Sequence, residues 1–598
     1  MLSNSPNLRA SVSLLLVLAF SIPVISQAPK KTQAPDWVGK SNEHARVLLN
    51  VIARFQPEGA ARLGIEGHDE EIVDFSPGFI ERQKSAYAQA EGELKKRLGD
   101  ERDPKVKQDL EILIKAANDN VKSLELTEKY EVQYFSLPQT VFMSMRSLLD
   151  DQVAPGRRPA AVVRLRKYTG LEKGHKPVAE YVTDLVREGM KNSKLMMPAK
   201  AEVEKDLAQS QFFLDGIGQL MQKYGMKGYE EPYAKLKEQM TAWNNFIKTE
   251  VLPKSREDFK LPAELYAFRL DQIGVDIPPA QLISMAHAAF DEIQGQMKTA
   301  AAQAAKEKGF ASSDYREVIR ELKKKQLVGE AILPHYKGRL KQIEDIVRAK
   351  QLVSLPTREA QIRLASEAES AAIPAPNMRP PRLKGNTGEM GEFILPLNVP
   401  DKSGKMQNFD DFTFEAASWT LTAHEARPGH EMQFASIVEA GVSDARTIFA
   451  FNSTNVEGWG LYSEWILQPY MPAEGQLISL QHRLMRAARA FLDPELQLGK
   501  ITPEKALATL KDEVMLSDAM AKQEVERYTF RSPGQATSYF YGYTKLRELR
   551  SDVEKALGAK FDQRAFHDFV LAQGLLPPEL MRDTVLSEFV QHTRRASN

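Results

Sequence analysis

Apolar residues recur three and four positions apart, with charges between them, in stretch after stretch between residues 43 and 351. EHARVLLNVIARF (43–55) and FIERQKSAYAQAEGELKKRLGD (79–100) show the pattern. It returns at 105–127, 177–192, 198–224, 232–250, 279–308, 313–326 and 334–351. This spacing matches the turn of an α-helix and gives each segment one apolar face to bury. Strand-like alternation is scarce over the same residues, so the chain is expected to be mainly α.

The character changes near residue 373. IPAPNMRPPRLKGNTGEMGEFILPLNVPDKSGK is rich in proline and glycine and reads as loop with short strands. GEFILPLN (391–398) is the best strand candidate, and Pro396 within it argues for an edge strand or a bulge. Such an edge could take up an extended peptide, or the segment could be a structural hairpin. Helical patterning resumes at about 411 and runs to the end. The expected organisation is a helical part over 27–372 and a catalytic part over 373–598, continuous with each other.

At 598 residues the chain can bury a large core without covalent staples. It has no cysteine, which excludes disulfides, a lipid-bearing cysteine and thiolate metal ligands, so any metal must rest on histidine and carboxylate. Acidic and basic residues balance at 80 each, so nothing points to nucleic acid or an anionic membrane surface as partner. Arg9, an apolar run from Val12 to Ile25 and small residues before Gln27 have the layout of a secretory signal peptide over residues 1–26. The protein is therefore expected outside the cytoplasm, secreted or periplasmic, with no stable membrane insertion after cleavage.

TAHEARPGHEMQ (422–433) comes close to a familiar zinc motif. In HExxH two histidines four residues apart share one helical face, with a glutamate after the first. Here His424 and Glu425 are in place, but the next histidine, His430, comes six residues after His424. On a straight helix position i+6 lies roughly 120° off the face of position i. Pro428 and Gly429 break helices, so a kink there can absorb the two extra residues and swing His430 back. NVEGWGLYSEWILQPY (455–470) then offers Glu457 and Glu464, seven residues apart and on nearly one helical face. One can bind a metal while the other orients an imidazole.

HEARPGHEMQ resembles the HExxPGH signature of the domain-of-unknown-function 885 family, zincin-like metallopeptidases by prediction. EGWGLYSE (457–464), ERYTFRSPGQATSYFYG (526–542), FDQRAFHDFVLAQGLLPPELM (561–581) and PEGAARLGIEGHDE (57–70) are similar to further blocks of that family. The resemblance implies an elongated helical zincin-like body with a central substrate channel and a small sheet before the metal-binding helix. It implies one zinc ion on His424, His430 and Glu457, Glu464 behind them, and Glu425 as general base. Of Tyr539, Tyr541 and Tyr543, it favours Tyr539 as the donor to the developing oxyanion. Where the family often carries histidines, this chain has Glu431 and Gln497.

The function so implied is an exported zinc metallopeptidase acting on peptide substrates. The alternatives are an exported metal- or peptide-binding relative without catalysis, or a zinc hydrolase of non-peptide amides. Arg427, His482, Arg527 and Lys545 are the charges that could meet a substrate terminus.

Overall fold

Residues 35–373, 375–396 and 410–595 are described in the computed structural model, so the expected signal peptide lies outside the described residues. Three long helices come first, Asp36–Phe55, Phe79–Asp100 and Pro104–Tyr130, with the short Pro57–Leu63 after the first. The third starts where sequence chemistry dictates. Pro104 occupies the first turn, and the Asp103 carboxylate accepts from the Lys105 and Val106 amides at 2.8 and 3.3 Å. Ala45, Leu48, Tyr87, Leu94, Leu110 and Leu113 bury the facing stripes in one core.

A second core, around Phe142, Leu165, Val182, Phe213, Met240 and Trp243, is built by Leu137–Arg146, Ala160–Tyr168, Val178–Gly189, Lys200–Lys223 and Glu230–Phe246. The first two of these were not anticipated. Each spans about three turns or fewer, too short for periodicity to separate a helix from a buried strand.

Two further cores cross residue 372. Tyr266, Leu282, Phe290 and Met297 pack with Leu477, Leu484, Phe491 and Tyr541. Ile343 and Val347 pack with Trp459, Tyr462, Val553 and Phe566. A buried polar knot ties the first bundle to the C-terminal half. The Asp109 carboxylate accepts from Arg446 Nε at 2.7 Å, from Ser443 Oγ at 2.6 Å and from Ser41 Oγ at 2.5 Å.

The small sheet holds β1 (Gln361–Leu364), β2 (Asn377–Arg379) and β3 (Glu392–Leu395), in the order β1-β3-β2. β3 pairs parallel with β1, Ile362 opposite Phe393, and antiparallel with β2, Met378 opposite Phe393. β3, within the GEFILPLN segment, is thus the central strand, not an edge. The ladder stops at Leu395, so Pro396 never has to donate to it. With partners on both sides β3 offers no edge to a peptide.

Helices Ser453–Leu467 and Ser538–Leu557 cross with their backbones in contact. A Cβ on Gly542 would fall 1.9 Å from the Thr454 carbonyl oxygen, and one on Gly458 would fall 2.6 Å from the Gly542 carbonyl carbon. Glycine is therefore required at the crossing. No described helix is long and apolar enough to cross a membrane.

Candidate metal centre

The variant histidine motif is two helices, not one. Ala417–Glu425 ends at Glu425, Ala426 leaves helical geometry, and His430 opens a new helix that runs to Ala440. Arg427, Pro428 and Gly429 make the corner, and the Arg427–Pro428 peptide is cis. A Cβ on Gly429 would lie 1.9 Å from the His424 carbonyl oxygen, so only glycine lets the chain fold back this closely. Helix Ser453–Leu467 holds the corner from outside, because Trp459 Nε1 and Ser463 Oγ donate to the Pro428 carbonyl at 2.9 and 3.2 Å. The two extra residues of the motif are absorbed here, and the imidazole centroids end 4.6 Å apart.

The same helix delivers both glutamates to His424. Glu457 Oε2 lies 3.4 Å from His424 Nε2 and 3.2 Å from His430 Nε2, while Glu464 Oε1 lies 2.7 Å from His424 Nδ1. Thr420 Oγ1 donates to the other Glu464 oxygen and thereby fixes that carboxylate. Arg486 Nη2 stands 3.5 Å from it. Ligand atoms of His424, His430 and Glu457 all lie within 4.8 Å of one another. Ligands held about 2.0–2.1 Å from a tetrahedral zinc sit roughly 3.3–3.4 Å apart, so this set fits a divalent ion.

Burial alone would raise both glutamates. For Glu457, hydrogen bonds with His424 and His430 outweigh it and hold the carboxyl well below the usual range. For Glu464, the Arg486 charge and the His424 hydrogen bond bring it to about 2. Glu425 is different: burial, reinforced by Glu457 and opposed by His430, pushes it up to about 8. Its carboxyl has no hydrogen-bond partner among the described residues.

Tyr539 stacks beside His424, ring centroids 6.1 Å apart at 18°. Its oxygen accepts from Arg527 Nη2 at 3.0 Å, which leaves its proton for another acceptor. Tyr541 instead donates to Asp276, and Tyr543 accepts from Arg547 at 3.0 Å. Neither joins the cluster. Glu431 is buried against Arg427, Nε to Oε2 at 2.7 Å, and Gln497 bridges the Leu261 amide and the Tyr528 carbonyl. Glu431 and Gln497 thus make contacts apart from the His424–His430–Glu457 cluster. Arg427 is taken up by Glu431 and Glu344, and Lys545 faces Glu548 and Glu579 at the surface.

Two members of the site's surroundings were missed. Arg486 and Arg489, on helix Ala473–Gln497, flank Tyr539, with their guanidinium carbons 5.6 and 4.5 Å from its ring centroid. The signal was present: His482, Arg486 and Arg489 fall at i, i+4 and i+7 and so share one helical face.

A family model described as "Bacterial protein of unknown function (DUF885)" matches residues 57–585. A candidate lipoprotein from Colwellia psychrerythraea has a similar structure: TM-score 0.72 and 18% identity, over 93% of this chain and 100% of that one. A candidate lipoprotein of unknown function from Shewanella oneidensis gives TM-score 0.66 and 18% identity, over 92% and 100%. These structures share the fold. No curated protein matches the sequence.

Proposed function

This chain belongs to the DUF885 family, and on that premise we propose that it is an exported zinc-dependent metallopeptidase hydrolysing peptide bonds in short peptides. The observation that carries the reading is the convergence of two imidazole Nε2 atoms on one Glu457 oxygen, with Glu425 beside them. His424, His430 and Glu457 would hold the ion, leaving a position open, as hydrolytic zinc sites do. When bound, the metal supplies a Lewis acid that acidifies water and polarises a carbonyl.

The chain's own residues do the rest. Glu464 accepts from His424 Nδ1, which fixes the tautomer that presents Nε2. Glu425 takes the proton of the attacking water and passes it to the leaving amine. Tyr539 donates to the oxygen on which charge builds. The zincin-like, channelled body and the periplasmic or secreted location are part of this proposal. A protein that only held metal or peptide would not need Glu425. Drawing a carboxyl this far out of water disfavours its charge, and a catalytic role accounts for keeping it there.

The test is Glu425→Gln beside wild type, both loaded with zinc and assayed on a library of short peptides. The variant should keep about one equivalent of zinc and the wild-type fold, and its turnover should fall by about 100-fold or more. Wild type without turnover, or a variant with unchanged pH–rate profile, would reject the assignment.

A further inference from the structure

Three guanidinium groups surround Tyr539. The carbons of Arg489, Arg527 and Arg486 lie 4.5, 5.2 and 5.6 Å from its ring centroid. Only one is fully matched in charge: Glu524 takes Arg489 through two hydrogen bonds of 2.6 and 2.7 Å. Glu464 stands 3.5 Å from Arg486 but already serves His424 and Thr420. Arg527 donates to neutral acceptors, Gln535 and Tyr539, with Glu524 3.7 Å away.

Donors are left over. Among the described residues, Arg489 Nη1 and Arg486 Nε are buried without a hydrogen-bond partner. Leaving charged donors unpaired in a buried site is costly, and an anion removes that cost. Solvent reaches the cluster's margin, where the Arg527 side chain is 23% exposed and that of Glu457 18%.

We infer that this arginine cluster binds a carboxylate of the substrate, namely the α-carboxylate at the carboxyl end of a peptide. The inference rests on the peptidase reading of the neighbouring centre. Guanidinium pairs with carboxylate through parallel donors, which suits a terminal carboxylate better than a neutral chain. The cluster surrounds a ring stacked on His424, so the terminus would sit within about three residues of extended chain from the scissile bond. The enzyme then trims one to three residues from the carboxyl end. An acidic side chain offers the same chemistry and is separated by experiment.

Binding is measured by calorimetry on zinc-loaded Glu425→Gln protein, so that no turnover intervenes. The probes are a tripeptide with a free carboxyl terminus, its terminal amide, and an amidated peptide ending in glutamate. The free acid should bind about tenfold or more tighter than the plain amide. Adding Arg527→Gln should shrink that ratio to below about threefold, and Arg527→Lys should restore part of it. Equal binding of acid and amide, no binding of either, or a ratio that survives Arg527→Gln would overturn the assignment. Tight binding of the amidated glutamate peptide would move the site to acidic side chains and overturn the terminal one. Turnover of amidated peptides by wild type would leave the peptidase reading standing even then.

Discussion

Gly460 sits mid-helix in Ser453–Leu467, one turn after Glu457, and faces both ligand imidazoles. A Cβ there would lie 2.6 Å from His424 Cε1, 2.8 Å from His424 Nε2 and 2.8 Å from His430 Cε1. Carbon contacts relax to about 3.5–4.0 Å, so in Gly460→Ala both rings must retreat by roughly 0.7–1 Å. Metal–ligand distances tolerate only about 0.2 Å. Disturbing groups behind a ligand already costs about 10–100-fold in affinity, and here two ligands move. Zinc affinity should therefore fall by about 100-fold or more, measured by competition with a chromophoric chelator. Gly295→Ala is the control. It makes the same change in helix Pro279–Lys308, where nothing lies within 4 Å, and should gain about 0.5–1 kcal/mol with zinc binding unchanged. A Gly460→Ala protein that binds zinc like wild type would refute the argument that these rings close on a metal.

Arg446→Ala leaves the Asp109 carboxylate buried with only the Ser41 and Ser443 hydroxyls. It should cost about 3–5 kcal/mol in urea unfolding, and a loss under about 1 kcal/mol would show that the knot is not a tie. The pH dependence of stability has a site of its own at Glu202 and Asp206. Burial, reinforced by Asp206, pushes Glu202 up to about 7, and burial pushes Asp206 up to about 6 despite the neighbouring Lys205 and Arg531 charges. The folded state therefore holds protons that the unfolded chain, with carboxyls near about 4, has released. That stabilisation is complete below about pH 4 and is lost as pH rises through about 6 to 7. Glu202→Gln should flatten this part of a urea-midpoint profile, and an unchanged slope would show that the two carboxyls are solvated.

The long helices were legible because a single buried face repeats over many turns. Phe79–Asp100 and Pro279–Lys308 have the bounds that periodicity gave them. Ala160–Tyr168 was not legible, since it completes too few turns for its period to register. β3 was misread because Pro396 was counted inside a strand that ends one residue earlier. At the site, six residues came from local pattern and resemblance together: His424, Glu425, His430, Glu457, Glu464 and Tyr539. Composition and spacing alone could not say how His430 returns, because the corner is held by Trp459 and Ser463, thirty and more residues away. Nor could they single out Tyr539 from Tyr541 and Tyr543. That choice depends on which face of Ser538–Leu557 turns inward, and the crossing with Ser453–Leu467 sets it.

That crossing has a mechanical side. With Gly458 and Gly542 in backbone contact, the two helices have no side-chain cushion along which to slide or hinge. Glu457 lies one residue before this point on one helix and Tyr539 three residues before it on the other, so the proposed metal ligand and phenol would travel as a single lever. Any motion that admitted the proposed substrate would have to carry them together. Their separation would then act as a built-in gauge, set by the helix crossing itself.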